Sequence, residues 1–270
     1  MNSTDISQLH IDHPGASDPI YRARRNEIAL AADNYEVTGE IQEIIYTKQE
    51  NSTWQIISSK LEPLHQEYAC QKFLDCKKKL ILPADKVPSF IRTNSQLEGF
   101  ELVPTAGLIE GSHFLRKLAE RKMYCTQYIR HHSNPEYTPE PDIVHELIGH
   151  AYMFTDPEIV ELTELFGRIA CLATLEENLL LGSIYWFTIE FGLIRENNEL
   201  KCYGAGLLSS IKEMQNAVEG KGATILDFDL GIIEKTIYDF SDIQNTYFVI
   251  PSFNYLYEVI KTRFNQYLVN

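Results

Sequence analysis

Apolar residues recur at three- and four-residue intervals from residue 51 to 79: Trp54, Ile57, Leu61, Leu64, Tyr68 and Phe73. That spacing gathers them on one face of a single helix. The run Lys77-Lys78-Lys79 closes it, where cations suit the exposed carbonyls of a helix C-terminus. Upstream, His13 to Asp33 opens on a Pro14-Gly15 turn and turns helical from about Asp18, with Asp18 as cap and Pro19 at the first helical position. A strand is expected around Phe100 to Val103, a helix from Ser112 to Ala119, and an alternating strand from Met123 to Arg130. The proline-rich stretch Asn134 to Pro141 breaks all periodicity. Three helical patterns follow: Asp142 to Met153, Pro157 to about Thr174, and Glu177 to Ile194. In the middle one Ile159, Leu162, Leu165, Phe166 and Ile169 form the apolar face. Beyond a glycine-broken stretch, Tyr203 to Ser210, come a helix from Ile211 to Val218, a strand near Tyr247 to Ile250 and a last helix from Ser252.

Asn178 to Ile194 carries one formal charge, Glu190, and resembles a membrane span. It is short for a bilayer crossing and is diluted by Gly182, Ser183, Thr188 and Gly192, so a buried helix is the better reading. With 44% hydrophobic and 23% charged residues, the composition is that of a folded globular chain. A formal charge of -14 argues against a nucleic-acid binder, which needs a basic stripe, and against anionic membranes. The cluster Arg22, Arg24 and Arg25 reads as a solvated helix face. Five scattered cysteines without a CxxC pair, and a polar start (a tail of about residues 1–11) without a leader pattern, lead us to expect a reduced, cytoplasmic chain. No repeat or linker divides residues 1–270, so a single domain is expected.

The lone carboxylate gains meaning beside His145-Glu146-Leu147-Ile148-Gly149-His150. Zinc-protease histidines lie four apart on one helical face. Here the separation is five, about 140° around an ideal helix, so both rings reach one metal only if the helix is locally distorted. The plain alternative is one core and one surface histidine. For Glu190, set among Ile184, Trp186, Phe187 and Ile189, the alternatives are an ion pair with Arg130 or Arg168, or a divalent metal. An unneutralised carboxylate there would cost several kcal/mol. Two imidazoles and a carboxylate make the ligand set of non-haem Fe(II) sites with open positions.

Longer motifs extend this picture: Asp12-His13-Pro14-Gly15 with YRARR, CTQYIRH (Cys125 to His131), YTPEPDIVHELIGH (Tyr137 to His150), IYWFTIEFGL (Ile184 to Leu193) and YGAGLLSS (Tyr203 to Ser210). In this order the chain resembles the biopterin-dependent aromatic amino acid hydroxylases, over the catalytic domain only. The resemblance implies a mainly α fold, a basket of helices around a metal with a few short strands. It further implies a short form lacking the regulatory domain and the tetramerisation helix, hence a monomer or dimer.

By that resemblance His145, His150 and Glu190 hold Fe(2+). Arg130 pairs with the substrate's α-carboxylate through its guanidinium fork, a pair with Asp142 being the competing arrangement. Tyr137, Thr138 and Pro139 match a substrate-lining loop, Trp186 and Phe191 aromatic walls, and Ser209 a hydroxyl that orients the first histidine. Phe114 matches the ring on which the pterin stacks. Gly107, Leu108 and Ile109 match the backbone beside it, Glu146 a carboxylate facing it, and Tyr185 a nearby wall. Residues 110 to 113 read Glu-Gly-Ser-His, a departure from the Ser-rich turn of animal members.

The implied reaction converts L-phenylalanine, O2 and tetrahydropterin (tetrahydrobiopterin or a related reduced pterin) into L-tyrosine and a hydroxypterin. Trp186 stands where members acting on tryptophan usually carry a smaller Phe. Phe240, near Tyr238, stands where tyrosine-specific members carry Asp. Other ring positions of phenylalanine, or tryptophan, are the next readings; a zinc hydrolase or a silent amino-acid or pterin sensor are those from other classes.

Overall fold

The longest helices begin where the sequence supplies a cap. In the computed structural model, which describes residue 9 and residues 13–219, 222–239 and 242–268, α1 (Pro19–Thr38) starts at Asp18, whose carboxylate accepts from the Ile20 and Tyr21 amides. Helix α2 (Lys48–Tyr68) opens on a reciprocal Thr47–Glu50 capping box. Its apolar stripe is as expected: Trp54, Ile57 and Leu61 are fully buried. The stripe does not stay on one helix, however. Ala69 and Cys70 are extended, Cys70 donates its amide to the Cys202 carbonyl at 2.9 Å, and α3 (Gln71–Lys79) begins afresh. The break turns Phe73 and Cys76 back into the core.

The short α4 (Phe90–Asn94) precedes β1 (Glu101–Thr105), which pairs in parallel with β2 (Lys122–Thr126) across α5 (Gly111–Lys117). The expected strand to Arg130 stops at Thr126, opposite Thr105, where its pairing partner β1 ends. Helices α6 (Pro157–Leu172) and α7 (Leu175–Tyr185) are capped by Asp156 and Thr174, and the expected apolar face of α6 is buried throughout. A four-stranded sheet in the order β4-β3-β6-β5 closes the far side. It comprises β3 (Leu193–Glu196), β4 (Glu199–Cys202), β5 (Thr224–Asp227) and β6 (Thr246–Ile250). Strands β3 and β4 form a hairpin whose two turn residues, Asn197 and Asn198, both have positive φ, as a tight twisted turn requires. Thus Leu193 and Ile194, expected at the end of a helix, belong to a strand. Helices α8 (Ala205–Leu208), α9 (Ile211–Glu219), α10 (Leu230–Ile233) and α11 (Phe253–Arg263) complete the wall. The result is the mainly α architecture with few short strands.

The arginine cluster is not a plain solvated face. Arg24 pairs with Glu50 and Glu27, while Arg25 is buried over the Tyr128 ring with Nη2 3.0 Å from Glu140 Oε2. It ties α1 to the proline-rich loop. Among the described residues no helix is long and apolar enough to cross a membrane.

His65, in the last turn of α2, is buried with Nε2 2.7 Å from the Leu208 carbonyl and Nδ1 3.3 Å from Lys77 Nζ. An ammonium only donates, so Nδ1 accepts and Nε2–H donates to the carbonyl: the ring is neutral. Burial, with the Lys77 charge second, pushes its pKa from 6.5 down to about 4. The unfolded chain therefore takes up a proton between these values that the folded chain refuses. The contribution to stability is intact above pH 6.5 and is lost as pH falls toward 4. Over that interval the wild type is expected to lose up to about 3 kcal/mol more than His65→Gln. Urea unfolding at both ends of the interval checks this, and equal losses in the two proteins would refute it.

Candidate metal centre and its cavity

The five-residue spacing of His145 and His150 is resolved by the backbone. Residues His145–Ala151 form a π-helix, in which i→i+5 bonding widens the turn and brings residues five apart toward one face. Glu190 ends a second π-helical turn, Trp186–Glu190, continuous with α7, where the Phe191 amide donates to the Trp186 carbonyl at 2.9 Å. The two wide turns point their polar residues at each other. His150 Nε2 lies 3.1 Å from His145 Nε2 and 3.1 Å from Glu190 Oε1, and His145 Nε2 lies 3.4 Å from Glu190 Oε2. All ligating atoms fall within 4.8 Å of one another. Gly149 permits this packing: a Cβ there would stand 2.7 Å from the Ala205 carbonyl oxygen of α8.

The tautomer of His145 follows from its neighbour. Ser209 Oγ spends its single proton on the Ala205 carbonyl at 2.7 Å, so it accepts from His145 Nδ1–H at 3.2 Å. His145 Nε2 then turns a lone pair toward His150 and Glu190. Burial pushes the His145 pKa down to about 4, so the ring is neutral and competent as a ligand. Burial alone would raise Glu190, but the two imidazoles outweigh it and hold the carboxylate below its ordinary range. Burial is the largest influence on His150 and lowers its pKa, but the charge and hydrogen bond of Glu190, with the charge of Glu146, together outweigh it and raise the pKa. In the free cage His150 Nε2 therefore carries the proton shared with Glu190 and His145, and a divalent cation that displaces it meets two imidazole nitrogens and a carboxylate.

The cage sits in a cavity of about 510 Å³. Every residue named above for metal, substrate or pterin borders it: Gly107, Leu108, Ile109, Phe114, Arg130, Tyr137, Thr138, Pro139, His145, Glu146, His150, Tyr185, Trp186, Glu190, Phe191 and Ser209. Arg130 is buried and held by Asp142, with Nε 2.9 Å from Oδ2 and Nη2 2.8 Å from Oδ1. The competing pair is therefore present, yet it occupies one edge of the fork only; Nη1 is 3.5 Å from the Pro135 carbonyl. Glu190 pairs with neither arginine but with the imidazoles. Phe114 meets Tyr185 edge-on at 5.7 Å. The Tyr185 hydroxyl is buried and has no hydrogen-bond partner among the described residues. Glu146 accepts from the Thr126 amide at 3.1 Å, and burial raises its pKa to about 7. Phe240 lies outside the described residues.

Sequence reasoning missed Tyr124, Thr126, Glu213, Tyr238 and Gln244, which also border the cavity. Glu213 carried the one available signal, an acid among the buried positions Ile211, Met214 and Ala217 of α9. A family model described as biopterin-dependent aromatic amino acid hydroxylase matches residues 3–269. The chain belongs to this family.

Relatives within the biopterin-dependent hydroxylases carry more than one substrate name. Phenylalanine-4-hydroxylase of Mus musculus is 40% identical over 269 residues, covering 95% of this chain and 58% of its own length. Tyrosine 3-monooxygenase of Schistosoma mansoni is 37% identical over 252 residues, covering 91% and 54%. The chain thus spans a little over half the length of these curated relatives. A solved structure of Chromobacterium violaceum phenylalanine hydroxylase, described with bound iron(III) and oxidised cofactor 7,8-dihydrobiopterin, matches with a TM-score of 0.76 at 32% identity, covering 83% of each chain.

Proposed function

We propose that this chain is an iron- and tetrahydropterin-dependent monooxygenase that hydroxylates L-phenylalanine to L-tyrosine with O2. The observation that carries the reading is the convergence of His145, His150 and Glu190 in the same cavity as Arg130 and the Trp186–Phe191 wall. The donor chemistry fits Fe(2+): two imidazoles, His150 giving up its Nε2 proton to the metal, and one carboxylate leave positions for other ligands. The pterin fits beside Phe114, with Gly107, Leu108 and Ile109 along its edge, and with Glu146 and the unpartnered Tyr185 hydroxyl as polar neighbours.

When bound, the iron and the reduced pterin supply O2 activation and two electrons, so that one oxygen atom enters the ring and the other leaves on the pterin. The protein's own share is placement. Arg130, held by Asp142 along its Nε edge, is left with Nη1 and the outer side of Nη2 for the substrate α-carboxylate. Trp186 and Phe191, their rings 4.8 Å apart, wall the aromatic ring, with Pro139 and Thr138 lining the same cavity and Tyr137 beside them. Ser209 keeps His145 in the tautomer that presents Nε2. Apolar walls keep bulk water from the reacting centre.

Anaerobic loading with Fe(II), addition of tetrahydrobiopterin and each aromatic amino acid, then air, with products separated by chromatography, tests this. Tyrosine from phenylalanine is the expected result. Product with zinc and without pterin, or tight amino-acid binding without product, would overturn it, and 3,4-dihydroxyphenylalanine from tyrosine as the main product would move the substrate. Five free cysteines, four of them buried, support a reducing cytoplasm as the location. The assembly proposed is a monomer or dimer, which light scattering of the purified chain checks.

A further inference from the structure

Trp186 is held by a residue that none of the sequence motifs reaches. Its indole lies nearly parallel to Tyr238 at 4.6 Å and is tilted against Phe191 at 4.8 Å. Such face contacts resist displacement along the ring normal but let the ring slide and turn in its own plane. The directional restraint is the indole N–H, which donates to Gln244 Oε1 at 3.0 Å. Gln244 is buried, and both hydrogens of its amide are engaged, by the carbonyls of Asp239 at 2.7 Å and Asp242 at 2.9 Å. With both donors engaged, only the oxygen is left for the indole, and a flip of the amide would break all three bonds.

The main chain of Gln244 is fixed as firmly. Its amide donates to Glu213 Oε1 at 3.1 Å, and its carbonyl accepts from Asn216 Nδ2 at 2.8 Å, both from α9. Tyr247 in β6 ties the two together, donating to Glu213 Oε2 at 2.7 Å and accepting from Asn216. Helix α9, residues Asp239, Asp242 and Gln244, and the start of β6 are thus joined in a hydrogen-bonded frame from which the Gln244 side chain reaches out to the cavity wall.

We propose that Gln244 is a positioning residue that sets the plane of the Trp186 indole and, through it, the choice between a phenyl and an indole side chain in the cavity. This rests on reading the cavity as an aromatic amino acid site. Discrimination by a wall is sensitive to shifts of about a methyl group, which change preference by roughly 10- to 200-fold. A wall free to slide loses that discrimination first.

The chain has two tryptophans, so ¹⁵N labelling gives two indole N–H signals, and Trp186→Phe identifies which is Trp186. In Gln244→Met, close in shape but without the acceptor, the Trp186 indole proton is expected to exchange with solvent at least tenfold faster. The kcat/KM preference for phenylalanine over tryptophan is expected to fall about fivefold, mostly through KM. Adding Gln244→Met to Trp186→Phe is expected to move the preference less than twofold, because the residue acts through the indole. Unchanged exchange and preference in Gln244→Met would overturn the proposal, as would an undiminished effect in the Trp186→Phe background. Should Gln244→Met fail to fold, Gln244→Glu retains an acceptor for the indole. There, preference lost with the proton still protected, or kept with it exposed, overturns the proposal, and the two moving together supports it. A wild-type chain that hydroxylates no aromatic amino acid instead overturns the functional reading, a result distinct from an exposed indole proton in an active wild-type chain, which overturns the role of Gln244.

Discussion

Glu190→Ala is expected to leave a folded chain that retains almost no iron and forms tyrosine at less than about a thousandth of the wild-type rate, a loss of about 4 kcal/mol or more in transition-state stabilisation. The carboxylate is the one anionic donor in the cage, and each of its oxygens faces a different imidazole, Oε1 toward His150 and Oε2 toward His145. Removing it deletes a ligand and also the charge that draws a cation into a buried cleft. The fold need not suffer, because Glu190 makes no other ion pair among the described residues, and its π-turn is held by backbone bonds such as Phe191 to Trp186. Elemental analysis after iron loading, circular dichroism and tyrosine formation measure the three parts separately. Near-normal turnover, or full iron content, would defeat the ligand assignment.

What could be read from the residues alone was the chemistry more than its geometry. The histidine pair five apart conflicted with an ideal helix, and the sequence stated the condition for its resolution, a local distortion, without showing its form. Hydrophobic periodicity does not distinguish an α-turn from a π-turn over seven residues, so the wide turn at His145–Ala151 is a property of the folded backbone, where Gly149 packs on Ala205. The break at Ala69–Cys70 has the same origin. The apolar stripe runs through it unchanged, and what stops the helix is a tertiary bond to Cys202, more than a hundred residues away. Arg25 looked like its neighbours in the cluster because burial of a guanidinium depends on Tyr128 and Glu140, which no local pattern relates to α1. Gln244 lay in a stretch without any period, and its importance comes from bonds to α9 and Trp186 that exist only in the folded chain.

Asp142→Asn is expected to damage substrate binding and stability together, because this carboxylate serves two parts of the site at once. It accepts from Arg130 Nε and Nη2 and from the Arg130 amide at 2.8 Å, and Oδ1 also accepts from the His145 amide at 3.1 Å. The residue is wholly buried, and Arg130 is nearly so. An asparagine of the same shape keeps the volume but leaves a guanidinium in the interior without its counter-charge and turns an NH2 toward a donor. Breaking such a pair from one side costs about 3–5 kcal/mol, whereas an exposed pair would cost under about 1 kcal/mol. The phenylalanine KM is expected to rise on the order of 100-fold, since the fork loses the partner that aims its outer edge, while kcat falls less because the metal ligands remain. Urea unfolding of the metal-free chain and a steady-state phenylalanine titration read the two effects independently. If KM were unchanged in a chain destabilised by this amount, Arg130 would be a structural cation only, and the substrate carboxylate would have to be met by another group in the cavity.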